Sequence, residues 1–95
     1  MREPCVYIVT NRPNGILYVG VTADIVSRIG QHRDGLVDGF TKRYGLKMLV
    51  HVELHQTMLA AIQREKSLKR WPRAWKIRLL RENNPDWTDL YDTLL

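Results

Sequence analysis

The stretch Cys5-Val6-Tyr7-Ile8-Val9-Thr10-Asn11-Arg12-Pro13-Asn14-Gly15-Ile16-Leu17-Tyr18-Val19-Gly20 decides how the chain begins to fold. Two runs rich in β-branched and aromatic residues, 5–10 and 16–20, flank a cluster of turn formers, which is the signature of a β-hairpin. Asn-Gly is the favoured pair for the two central positions of a type I′ turn, because both positions need positive φ. With Asn14 and Gly15 placed there, strand alternation sends Val6, Ile8, Leu17 and Val19 to one face. Tyr7, Val9, Tyr18 and Gly20 take the other, so both phenols project from the same side of the sheet.

Beyond the hairpin, Thr22 or Asp24 can cap a helix that runs to about Arg33 and stops at Asp34-Gly35. Ile25 and Ile29 form its apolar stripe, and Arg28 and His32, one turn apart, border it. Residues 34–45 read as a loop with a short turn of helix. In 46–55, Leu46, Met48, Val50, Val52 and Leu54 alternate with Lys47, His51, Glu53 and His55, which predicts a strand with a solvated polar face; only Leu49 breaks the pattern. Thr57 caps a second helix reaching about Trp71 and ended by Pro72. A third spans 73–83, and Asp86 can cap a final turn carrying Trp87, Leu90, Tyr91 and Leu94. The order β-β-α-β-α-α predicts an α/β (α+β) fold, a three-stranded, mainly antiparallel sheet flanked by helices. With no repeat or linker in view, 1–95 is expected to form a single domain.

Composition narrows the function. Apolar residues at 44% and charged residues at 26% are ordinary for a globular protein. No run approaches the length of a membrane span, and the start is too short and too acidic for a secretory leader. Cys5 is the one cysteine, which excludes an internal disulfide and a cysteine-rich zinc site. These features predict a cytoplasmic protein with no membrane association. The charge is +5, from 15 Lys/Arg against 10 Asp/Glu. Arg64, Lys66, Lys69, Arg70, Arg73, Lys76, Arg78 and Arg81 crowd around Trp71 and Trp75, opposed only by Glu65. Such a block suits a phosphate backbone, although a solvated helix surface has the same composition.

Glu65 stands out within that block. At 100° per residue it falls in the middle of the arc filled by Met58, Ala61, Ile62 and Leu68, the inward side of its helix. An inward carboxylate needs an ion pair, with Lys69 or Arg28, or a cation to coordinate. Magnesium fits the second option, because it often takes one or two protein carboxylates and completes its octahedron with phosphates and water.

Cys5-Val6-Tyr7 and Tyr18-Val19-Gly20, followed by Thr22, Asp24, Arg28 and His32 and then by Glu65 on a later helix, resemble the signature of the GIY-YIG nuclease superfamily. The stretch from Arg64 to Lys76 and the later Asn84-Pro85, Trp87 and Asp89-Leu90-Tyr91 are similar to its small stand-alone bacterial members, which in turn resemble the nuclease domain of the DNA-repair excinuclease. The resemblance implies a GIY-YIG nuclease fold and a metal-dependent endonuclease that hydrolyses DNA phosphodiester bonds in repair, recombination or related processing. It implies Tyr7, Tyr18, Arg28, His32 and Glu65 as catalytic residues. Tyr7 would orient or deprotonate water, Tyr18 and His32 would hold phosphate or tune a tyrosine, and Arg28 would stabilise developing charge. Glu65 would be the ligand of one Mg²⁺ or Mn²⁺. Lys66, Lys69, Arg70, Arg73 and Lys76 would bind DNA, single-stranded or branched, with RNA also possible and no obligate protein partner. The alternative is a non-catalytic nucleic-acid-binding module on the same fold. Cys5 replaces the usual glycine of the first motif, and Val21 replaces the lysine that follows the second in the excinuclease branch. Asn84 could match the late asparagine of several members or simply end a helix.

Overall fold

The computed structural model of the protein describes residues 3–37 and 39–95. Its elements are β1 (Cys5–Thr10), β2 (Leu17–Thr22), α1 (Ile25–Arg33), α2 (Phe40–Tyr44), β3 (Met48–Leu54), α3 (Met58–Arg70), α4 (Arg73–Asn83) and a terminal 3₁₀ turn (Tyr91–Leu94). The three strands form an antiparallel sheet in the order β2-β1-β3. None of the described helices is long and apolar enough to cross a membrane.

The hairpin faces fall as expected, but the turn differs. Gly15 N donates to Arg12 O at 2.9 Å, and Asn14 has φ 58°. Pro13 and Asn14 are therefore the central residues, in the arrangement of a type II turn, with proline preset for the first position and asparagine tolerating the second. Val9 pairs with Tyr18 and Thr10 with Leu17, two residues from the register of an Asn14-Gly15 turn. A shift of two preserves which side chains share a face. Asn11 Oδ1 accepts from Ile16 N at 3.0 Å and closes the loop.

Both sheet faces are covered. On one, Val6, Ile8, Val19 and Val50 pack with Ala61 and Leu68 of α3, Leu80 of α4 and Trp87. On the other, Cys5, Tyr7, Val9 and Leu49 pack with Ile25 and Ile29 of α1 and with Leu46. The caps form locally: Asp24 accepts from Ser27 N at 3.2 Å, and Thr57 from Ala60 N at 3.1 Å.

The misfit at Leu49 has a physical cause. Ile8 pairs with His51 but Val9 with Leu49, so Val50 is an extra residue, a β-bulge that resets the alternation. Leu49 and Val50 then serve opposite core layers. The C-terminal segment clamps this irregular edge. Leu90 N donates to Leu49 O at 2.7 Å, Leu49 N to Asp89 Oδ1 at 3.2 Å, and Asn84 Nδ2 to Val50 O at 3.1 Å. Asn84 also exchanges two bonds with the Thr88 backbone, which holds Trp87 at φ 56°. Asp86 therefore caps no helix, contrary to expectation; regular 3₁₀ structure begins only at Tyr91, because the intervening backbone is committed to covering the β3 edge.

The polar residues of β3 do not form a solvated face either. His51 is buried and Glu53 nearly so, beneath α3. Arg64 grips Glu53 with two bonds of 2.9 and 3.0 Å, His51 Nε2 lies 2.9 Å from the same carboxylate, and Arg64 also lies over the Trp71 ring. Burial alone would raise the Glu53 pKa, but the hydrogen bonds from His51 and Arg64 prevail and hold it at about 2, against 4.5 ordinarily. A depressed carboxylate contributes stability that is present above pH 4.5 and lost as pH falls toward 2. Urea titrations at stepped pH should show Glu53→Gln lowering unfolding free energy by about 2–3 kcal/mol near pH 7 and flattening the acid limb; an unchanged limb would refute the assignment.

Tyr7 pairs with Gly20, and a β-carbon there would come within 2.3 Å of Tyr7 Cζ. Gly20→Ala should therefore cost about 1–3 kcal/mol of overpacking, read as a lower Tm with a displaced Tyr7 ring. An alanine variant of wild-type stability and unchanged tyrosine spectra would show that the ring has room to move.

Candidate active site

Four of the five residues singled out from the sequence as catalytic meet at one end of the layer between the sheet and α1. β1 aims Tyr7 inward, and α1 presents Arg28 and His32 from successive turns. Tyr7 Oη lies 2.9 Å from His32 Nε2, and Arg28 Nε donates to it at 3.4 Å. Tyr7 is 1% exposed and His32 3%, while Arg28 is half-buried and reaches Gln31 at the surface. His32 Nδ1 is buried with no hydrogen-bond partner among the described residues.

Burial shapes the chemistry of this group. It raises the Tyr7 pKa above its ordinary 10, offset in part by the hydrogen bond and charge of Arg28. It lowers the His32 pKa below 6.5, and Arg28 pushes in the same direction. The histidine is thus neutral at pH 7, with one ring nitrogen free to accept a proton. The arrangement holds a buried phenol and a neutral base together, with a half-buried cation beside them.

Tyr18 lies edge-on to His32, with ring centroids 6.3 Å apart. Lys69 Nζ sits 5.3 Å above the Tyr18 ring and 3.3 Å from Glu65 Oε2. Through Lys69 the inward-facing Glu65 joins the tyrosine side of the cluster, and its side chain is only 14% exposed. The sequence arc for Glu65 is correct, and of its two candidate partners Lys69 is the one in contact.

No three His, Cys, Asp or Glu residues among those described gather into a ligand set. Glu65 is nonetheless a suitable single carboxylate. Among the described residues its ion-pair partner is Lys69, a 46% exposed side chain that can swing away, and magnesium accepts such a sparse protein donor set when phosphate and water supply the rest.

The other expected contacts divide. Lys66 and Arg70 are exposed on α3. Arg73 donates to Asn14 O at 2.9 Å and to Gly15 O at 2.6 Å, and so fastens α4 to the hairpin turn. Lys76 Nζ reaches Lys69 O at 3.4 Å. Arg64 is committed to Glu53. Trp71 packs against the core as expected for a structural residue, whereas Trp75 is 51% exposed. Asn84 ends α4 and serves the β3 bulge. Cys5 is buried, and Val21 packs against the α3 layer.

Two features escaped the sequence reading. Gly20 makes room for the Tyr7 ring, which follows only from the strand register. Phe40 stacks on Tyr18 at 6.4 Å and touches Tyr44 at 4.8 Å, next to the cluster. The aromatic pair between Gly39 and Gly45 was the available signal.

Known proteins resemble the chain over most of its length. The family model described as the GIY-YIG catalytic domain matches residues 3–78, from β1 into α4. The chain is 35% identical over 77 residues to proteins named UPF0213 protein from Staphylococcus aureus strain Mu3 and strain COL, an alignment covering 81% of this chain and 93% of each relative. No solved structure gives a significant match. Tyr7 and Tyr18 stand on paired strands before Arg28 and His32 of the first helix, the family model spans all of these elements, and the chain accordingly belongs to the GIY-YIG catalytic domain family, whose members are nucleases.

Proposed function

We propose that this protein is a divalent-metal-dependent endonuclease that hydrolyses DNA phosphodiester bonds, with Tyr7, Tyr18, Arg28, His32 and Glu65 as its catalytic residues. The observation that carries this reading is the Tyr7 hydroxyl held between neutral His32 and cationic Arg28. A preformed phenolate is scarce, because burial raises the Tyr7 pKa. The route open to the site is a relay: water gives a proton to Tyr7 Oη as Tyr7 gives its own to His32 Nε2, and the resulting hydroxide bonds to phosphorus as the bond to the 3′-oxygen breaks, that oxygen taking a proton from solvent. The scissile phosphate draws Arg28 away from its long 3.4 Å contact, which uncovers Tyr7 and places the guanidinium against the developing charge. Tyr18 orients the phosphate.

Glu65 would hold the one Mg²⁺ or Mn²⁺, which when bound supplies a Lewis acid to the phosphoryl and leaving 3′-oxygens. Lys69, released from Glu65, joins Lys66, Arg70 and Lys76 on the DNA backbone. Arg73 adds its field while remaining tied to the turn. Single-stranded or branched DNA suits a recessed site better than a rigid duplex, and such a substrate suits repair or recombination in the cytoplasm. In this reading all 95 residues act as one domain, since the tail beyond residue 78 completes both core layers.

Two observations favour a second reading, a non-catalytic nucleic-acid-binding module: Tyr7 is 1% exposed and Glu65 is already paired. A panel of end-labelled single-stranded, duplex, flap and branched DNA, with single-stranded RNA, separates the two. The nuclease should cut with Mg²⁺ or Mn²⁺, stop with chelator and lose about 100-fold or more in Glu65→Ala. Tight, salt-sensitive binding without cleavage under any metal would establish the module instead.

The relay also predicts a pH profile. Neutral His32 is required, and its pKa lies below 6.5, so kcat/KM should stay level from about pH 8 to 6.5 and fall only at lower pH. His32→Asn should remove that acid limb along with most of the rate. A fall centred above pH 6.5, or a rate that climbs steadily toward pH 10, would assign the base to another group.

A further inference from the structure

Phe40 and Tyr44 are 48% and 42% exposed, unlike most large apolar side chains of the fold. They lie one turn apart on α2 and so share a face. The helix is anchored beside them by Thr41, which is buried and whose carbonyl accepts from Leu46 N at 2.9 Å. Gly39 at φ 93° and Gly45 at φ 63° turn the chain sharply on either side, so this short helix stands out with its aromatic face outward. The rings continue the reactive cluster. His32 meets Tyr18 edge-on, Tyr18 stacks on Phe40 with planes 26° apart, and Phe40 tilts against Tyr44.

Cations border this row of rings. Arg43 Cζ lies 5.5 Å from the Tyr44 centroid, and Lys69 Nζ lies 5.3 Å from that of Tyr18. Exposed aromatic rings with positive charge beside them complement one chemistry in particular: a planar base joined to a phosphate. Stacking requires an exposed π face, which a base inside a duplex lacks. Trp75, the other exposed aromatic residue, leans edge-on against Trp71 and forms no such row.

We propose that Phe40 and Tyr44 form a stacking subsite for an unpaired nucleobase of single-stranded DNA, one that adjoins the phosphate held at Tyr18 and Arg28. The inference rests on the nuclease reading above and names its substrate class. The base lies on the exposed Phe40 and Tyr44 faces while Arg43 and Lys69 meet the flanking phosphates.

The test uses the intact protein with chelator, so that binding is read without cleavage, and single-stranded oligonucleotides carrying 2-aminopurine at successive positions. Wild type should quench the fluorescence at one position. Phe40→Leu and Tyr44→Leu, which keep apolar cover but remove the ring, should each weaken single-strand binding about tenfold and relieve that quenching. An abasic nucleotide at the same position should weaken wild type equally and add nothing to either variant. Duplex of the same sequence should respond little to either substitution, and thermal melts should match wild type. Single-strand affinity unchanged in both leucine variants, or an equal loss on duplex, would overturn the subsite while leaving the nuclease intact if wild type still cuts with metal. A wild type that neither binds nor cuts any DNA would overturn the nuclease reading itself.

Discussion

The Tyr7 ring lies across Gly20 on the neighbouring strand, where any β-carbon would strike it. The contact ties sheet register to chemistry. With Tyr7 opposite Gly20, the ring lies flat enough for its hydroxyl to reach His32 on α1, and Val6, Ile8 and Val19 turn together toward α3. A one-residue slip would exchange the two faces, moving the phenol among the aliphatic side chains beneath α3 and away from His32. Arg28 and His32 depend on the same geometry, since α1 is held by Ile25 and Ile29 against the Tyr7 face of the sheet.

A second constraint operates at the far edge. The edge of β3 around the bulge at Val50 has no neighbouring strand, and the C-terminal segment supplies partners for its backbone through Asn84, Asp89 and Leu90. Asp89 also pairs with Arg33 at 2.9 Å, and Arg33 lies over Tyr91. The tail thus links the end of α1 to the edge of β3, although it lies beyond the part of the chain matched by the family model. Helix, sheet edge and tail brace the layer that contains the tyrosine–histidine pair.

Local chemistry made much of this legible. The caps at Asp24 and Thr57, the breaks at Gly35 and Pro72, and the two faces of the hairpin depend on neighbours within a few residues. The inward position of Glu65 follows from helical periodicity alone. What escaped depends on distant partners. Pro13 took the turn position given to Asn14 by a rule for two-residue loops, yet the faces survived because the register moved by two. His51 and Glu53 looked solvated by alternation, but Arg64 reaches Glu53 from another element, His51 bonds the same carboxylate, and burial becomes tolerable. Phe40 and Tyr44 lay in a segment read as a loop with a short turn of helix, and only the fold brings them to Tyr18.

Every residue of β1 is buried, because helices cover one face of the sheet and α1 with the tail covers the other. The central strand therefore has no position where a side chain can vary without disturbing a packed layer, and trimming one of its larger aliphatics would cost about 2–5 kcal/mol. Mutational freedom is displaced to surfaces the sheet does not govern: the outward side of α2, and the exposed positions of α3 and α4. A scaffold of this kind can change its outer surface over evolutionary time while the cluster around Tyr7 stays fixed, since the two sets of residues draw on separate parts of the fold.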